Sequence, residues 1–93
     1  MLRNGFFCGQ SLARELAPHG ISVTTVAPGF VETDMAAEHL GGPDGPALRA
    51  QSPWGRVARP EEVAAAVVFL ASPEAEFVSG AILDLNGASY LRT

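Results

Sequence analysis

Apolar positions follow a helical spacing in two stretches of the chain and form short β-branched or aliphatic runs in two others. Cys8, Leu12 and Leu16 fall on one helical face, and Pro18 with Gly20 stops that pattern, predicting a helix over 4–17. Ile21-Ser22-Val23-Thr24-Thr25-Val26 follows at once and predicts a strand over 21–27. Val63, Val67 and Leu70 form a second helical face, widened by Ala64, Ala65, Ala66, Phe69 and Ala71, predicting a helix over 60–72. Pro60 suits its first position and Glu61 and Glu62 suit the positive end of the dipole, while Ser72-Pro73 ends it. Arg59 is a poor capping residue for that start. Ala81-Ile82-Leu83-Asp84-Leu85 predicts a strand over 81–85, with 86–93 as a tail. The stretch 28–59 is irregular, broken by Gly41-Gly42-Pro43-Asp44-Gly45-Pro46, with short helical turns expected around 34–40 and 46–51.

The order is helix, strand, helix, strand. The second helix can serve as a right-handed crossover between two parallel strands, giving one βαβ unit with an extra helix in front. Parallel strands are normally covered on both faces and flanked by further strands. Two strands alone make a marginal sheet with two open edges. The expected class is therefore α/β, with residues 1–93 forming part of a larger doubly wound, Rossmann-like domain.

Composition narrows the partners. The 93 residues are 47% hydrophobic and 17% charged, which marks a globular chain of one domain at most. The net charge is −4, and all six basic residues are arginines scattered from Arg3 to Arg92, so no basic patch invites nucleic acid. The longest apolar run, Val63 to Ala71, is nine residues, too short to span a membrane. Gly5, Gly9 and Gln10 interrupt the apolar start, and no targeting peptide is expected. The single Cys8 excludes an internal disulfide, fits a reducing cytoplasm, and is expected to be a small buried residue. His19 is placed to meet a helix C-terminus. Asp34 and Glu38 share helical spacing beside His39, but no third ligand is specified and no metal site is expected.

Residues 27–35, Ala-Pro-Gly-Phe-Val-Glu-Thr-Asp-Met, hold the most suggestive chemistry. A strand ending in Pro28-Gly29 must turn at its carboxyl end, which is where open α/β sheets bind ligands. Free backbone groups and the Thr33 hydroxyl could hold a planar amide there through paired hydrogen bonds. Taken alone, these nine residues are better read as an ordinary strand-to-loop turn, which is what most Pro-Gly pairs form.

The wider chain carries a resemblance. Ser11-Leu-Ala-Arg-Glu-Leu-Ala-Pro-His-Gly-Ile21, Val26-Ala-Pro-Gly-Phe-Val-Glu-Thr-Asp34, Gly55-Arg-Val-Ala-Arg-Pro-Glu-Glu-Val-Ala64, Phe69-Leu-Ala-Ser72, Ser79-Gly80 and Asp84-Leu-Asn-Gly87 succeed one another in a family order. Over residues 11–93 the chain resembles the C-terminal portion of short-chain dehydrogenases/reductases, including members like 3-oxoacyl-acyl-carrier-protein reductase. The resemblance implies a doubly wound sheet, NAD or NADP as cofactor, a small carbonyl or secondary alcohol as substrate, and a homo-oligomer. It places Pro28 and Gly29 at the turn facing the nicotinamide, the Val31 backbone on its carboxamide, and the Thr33 hydroxyl in the same region. It makes 34–58 a substrate lid, in which Met35 and Leu40 line a pocket or simply pack. Trp54 touches substrate or packs under the lid.

Departures from the family pattern are as informative. No glycine-rich turn fits the phosphate-binding motif. The family's Tyr-x-x-x-Lys pair is absent: there is no lysine, and the only tyrosine is Tyr90, beyond the last strand. Counting back from Ser11, that lysine would fall near Leu2 and the tyrosine before Met1, so no catalytic residue is assigned and the isolated chain is expected to be inactive. Asn86-Gly87-Ala88 stands where many members carry Asp-Gly-Gly, and the turn is expected to survive. The alternative is an inactive remnant that associates with itself or with intact relatives.

Overall fold

The computed structural model describes residues 2–92, with side chains from Cys8 onward apart from Met35. Its elements are α1 (Leu2–Leu16), β1 (Thr25–Pro28), α2 (Asp34–Gly41), α3 (Gly45–Ala50), α4 (Pro60–Leu70) and β2 (Ile82–Leu85). Short 3-10 turns follow α1 at Ala17–His19 and α4 at Pro73–Val78. Strands β1 and β2 pair in a two-stranded sheet. Their hydrogen bonds advance together along both chains, Thr25 N to Ala81 O and Gly29 N to Leu85 O, so the pairing is parallel. With α4 in the connection, the chain is a partial Rossmann-like α/β unit.

Two compact units divide the chain. The first comprises residues 1–26 and 66–83. In it, α1 approaches β1 through small residues rather than through the face that periodicity suggested. A Cβ on Gly9 would meet Thr25 Oγ1 at 2.7 Å, and Ala13, one turn on, is 6% exposed. The expected face fails because Cys8 is exposed, Leu12 is 46% exposed and Leu16 only half-buried. Glycine and alanine admit the helix close to the strand, and larger side chains at those positions would hold it off. Gly20, at φ 75°, ends the 3-10 turn by donating its N–H to Ala17 O.

The strand expected from residue 21 begins only at Thr25. Val23 N instead donates to Ser79 Oγ at 3.0 Å, and Val23 O accepts from Gly80 N at 2.8 Å, so loop residues stand where a ladder would be. In this unit Ala75 is 1% exposed, while Val67, Val68, Phe69 and Phe77 remain 50 to 104% exposed.

The second unit comprises residues 27–65 and 84–93 and holds the Pro28-Gly29 turn, helices α2 and α3, and the tail. Pro28 lies inside β1, and pairing continues through Gly29, contrary to the expectation that proline would end the ladder. Thr25 and Gly29 donate toward β2, so the intervening even-numbered Pro28 turns its nitrogen the other way and costs no bond.

Helix α4 begins at Pro60 despite the weak cap. Arg59 N donates to Glu62 Oε1 at 2.9 Å and Glu62 N donates to Arg59 O at 2.9 Å, a reciprocal arrangement that replaces a capping side chain at Arg59. It ends at Leu70, short of residue 72, because Ser72 folds back on the last turn through Phe69 O.

Candidate functional site

Every residue of the site belongs to the second unit. Beyond β1, Phe30, Val31 and Glu32 run extended and Val31 forms a parallel bridge with Ala58. Ala58 N donates to Phe30 O at 3.1 Å and Glu32 N donates to Ala58 O at 2.8 Å. Those two bonds occupy one edge of the segment. Alternation along an extended chain then turns the Val31 N–H and C=O to the opposite edge, where neither has a backbone partner among the described residues. One donor and one acceptor side by side are the complement of a primary carboxamide.

Gly29 is set by contact rather than by unusual backbone angles. Its φ is not positive, but a Cβ there would meet Asn86 Cβ at 2.9 Å, and its N–H donates to Leu85 O at 3.0 Å. Glycine lets the turn lie against the end of β2. Pro28 and Gly29 are both exposed, and Val31 is half-buried.

Thr33 has a local duty that the sequence reading missed. It is the N-cap of α2, with Oγ1 accepting from Ala36 N at 3.2 Å and its carbonyl accepting from Ala37 N at 2.9 Å. The hydroxyl proton stays available to donate, and the side chain is exposed. A threonine followed by Asp34 and an alanine-rich run was the signal for this cap.

Helices α2 and α3 form a helical hairpin. A Cβ on Gly45 would run into Leu40 O, so glycine allows α3 to turn tightly against the end of α2. Arg49 donates to Leu40 O at 2.8 Å, closing the last turn of α2 with a cation. Leu40 is 7% exposed. The Met35 side chain lies outside the described residues. Trp54 is 75% exposed.

A cavity of about 410 Å³ is lined by Phe30, Ser52, Trp54, Arg56, Glu62 and Asn86, among others. Of the residues singled out from sequence, it includes Trp54 but not Pro28, Gly29, Val31, Thr33 or Leu40. Arg56 crosses one wall to Glu62 through two bonds of 2.7 and 3.0 Å. With the Arg59 N–H added, these contacts hold the Glu62 carboxyl down to about 2. Asp84 is likewise held below the ordinary carboxylate range by Arg92, whose guanidinium donates to both its oxygens. Among the described residues no cluster of His, Cys, Asp and Glu could hold a metal ion, and no helix is long and apolar enough to cross a membrane.

Residues 8–87 match the family model described as enoyl-(acyl carrier protein) reductase. The chain is 50% identical over 82 residues to a 3-oxoacyl-acyl-carrier-protein reductase of Vibrio cholerae, covering 88% of this chain and 33% of that protein. The corresponding reductase of Escherichia coli is 48% identical over the same share of both chains. A short-chain type dehydrogenase/reductase of Sinorhizobium fredii is 49% identical over 80 residues, 84% of this chain and 15% of that one. The chain thus spans about a third of the length of the reductases it matches. The family description and the relatives' names give different reactions, so the matches agree on kinship rather than on substrate. With the order helix, strand, helical hairpin, helix, strand, they show that this chain belongs to the short-chain dehydrogenase/reductase family.

Proposed function

We propose that residues 28–33 form the nicotinamide-facing wall, and residues 34–58 the substrate lid, of an NAD(P)-dependent reductase acting on a small carbonyl compound or secondary alcohol. The observation that carries this reading is the free edge of Val31, a donor and an acceptor side by side with no backbone partner among the described residues, beyond the carboxyl end of a parallel strand. The cofactor, when bound, supplies or accepts the hydride. Val31 holds its carboxamide through the backbone, and Thr33 adds a hydroxyl proton while its oxygen caps α2. Together they fix the ring's orientation, which is worth more to a hydride transfer than affinity alone. Proton transfer to the substrate oxygen needs a group that these 93 residues do not supply, since they hold no lysine and only Tyr90 as a tyrosine. The names of the 3-oxoacyl-acyl-carrier-protein reductases make a 3-oxoacyl thioester the first substrate to try.

Grafting residues 8–93 in place of the matched third of the Escherichia coli reductase tests this reading. The chimera is expected to oxidise NADPH with an acetoacetyl thioester, whereas the isolated 93-residue chain is expected to show no turnover. A folded chimera without activity, or clear turnover by the purified isolated chain, would contradict it.

A second reading is favoured by the exposed apolar side chains of Val67, Val68, Phe69 and Phe77. On that reading the chain is a non-catalytic protein that associates with itself or with intact family members through this surface.

A further inference from the structure

Ser52 is 7% exposed and is the buried polar residue among those described. Its hydroxyl donates to Gly87 O at 2.6 Å and accepts from Trp54 N at 3.2 Å, so both its functions are used. Ser52 O also accepts from Gly55 N at 2.9 Å, closing a turn over Pro53 and Trp54 in which Gly55 sits at φ 75°. On the far side of the Ser52–Gly87 bond lies another tight turn, with Ser89 N donating to Asn86 O at 3.1 Å and Gly87 and Ala88 at φ 59° and 65°. A Cβ on Gly87 would meet Ser52 Oγ at 2.6 Å, so the two turns are in direct contact. The same Asn86 packs against Gly29, the glycine of the nicotinamide-facing turn.

We propose that Ser52 is a positioning residue that ties the distal limb of the lid to the Asn86–Ser89 turn behind Gly29, so that the lid is anchored to the wall against which the nicotinamide is held. This rests on the reductase reading for its consequence, while the tie itself does not. One hydroxyl bridges the two segments, and removing it takes a partner from the Gly87 carbonyl on one side and from the Trp54 N–H on the other. The limb carrying Trp54 then loses its register against the turn. Substrate, which meets the lid, is affected before the hydride step, which depends on the wall.

Trp54 is the chain's sole tryptophan and reports on the limb directly. In the 93-residue chain, Ser52→Ala is expected to about double the fast-decaying part of the Trp54 fluorescence anisotropy, while Ser52→Thr keeps the parent value. An unchanged anisotropy in Ser52→Ala, with the circular dichroism of the parent, would overturn the proposal. In the chimera, Ser52→Ala is expected to raise the KM for the acyl thioester about fivefold with kcat within about twofold, and Ser52→Thr to restore it. A fall in kcat with KM unchanged would also overturn it. If the parent chimera shows no turnover, the reductase reading fails, and the anisotropy still decides whether Ser52 makes the tie.

Discussion

Val31, Thr33 and Ala88 show three ways in which a residue's role departs from what its side chain advertises. Val31 offers its backbone rather than its side chain, because Ala58 takes up the neighbouring groups and leaves the Val31 N–H and C=O on the open edge. Thr33 caps α2 with its hydroxyl oxygen, which leaves the hydroxyl proton available to donate. Ala88 occupies a left-handed position at φ 65°, the third residue of a turn whose two central residues both have positive φ. Such turns favour glycine, and a Cβ there costs about 1 kcal/mol. The Asn86-Gly87-Ala88 turn survives, but with strain at Ala88. Ala88→Gly is therefore expected to raise the thermal midpoint of the chain by about 4–8 °C at fixed concentration, measured by circular dichroism. An unchanged or lower midpoint would show that the turn is not strained. Much of this residue-level detail was not legible in the sequence. The Pro28-Gly29 pair announced a turn, but Gly29 is required by Asn86, more than fifty positions away, and no local pattern reports such a contact.

At the scale of elements, periodicity located the helices better than it identified their buried faces. Helix α1 was legible from its Pro18-Gly20 stop, but it meets the strand through Gly9 and Ala13, whose small size carries no hydrophobic signal. The start of β1 was misplaced because Ile21 to Thr24 have strand-like composition but no strand opposite them. The α2–α3 hairpin was visible as two helical turns around a glycine-proline break, while the Arg49 bond that closes it was not. The start of α4 shows how context overrides a poor cap. Glu62 supplies the missing acceptor to Arg59 N and is itself held by Arg56.

That arrangement depends on pH in a definite direction. The Glu62 carboxyl is lowered from 4.5 to about 2 by the Arg56 hydrogen bonds first and the Arg59 N–H second. Its contribution to stability is therefore fully present above pH 4.5 and is lost as pH falls through about 2. Both side chains of the pair are about two-fifths exposed, so the effect is modest and weakened by salt. Comparing the thermal midpoints of the parent and Glu62→Gln should show a gap at neutral pH that closes by about pH 2. A gap that persists there would mean that Glu62 acts by packing rather than by charge.

For the whole molecule, the family order of motifs carried the fold class, and the two-stranded parallel unit agrees with it. Among the described residues, the buried apolar side chains are Ala13, Leu40 and Ala75, and no large side chain is fully buried. Parallel strands in this architecture are ordinarily sandwiched between helices, so exposed Val68 and Phe77 mark surface suited to cover. The isolated chain is accordingly expected to elute ahead of a monomer in size-exclusion chromatography, and a compact monomer would count against association through that surface. The cavity beside Trp54 could not be read from sequence, because its walls come from residues 30 to 62 and 84 to 89.

The central claim is that the free backbone edge of Val31 faces the nicotinamide, and it is tested by removing one atom from that edge. The Val31 N–H takes no part in the bridge to Ala58, so Val31→Pro deletes the donor without breaking an internal hydrogen bond. In the chimera, titration of NADPH followed by cofactor fluorescence should show about tenfold weaker binding for Val31→Pro than for Val31→Ile, with the parent circular dichroism retained. Equal affinity of the two variants would contradict the account.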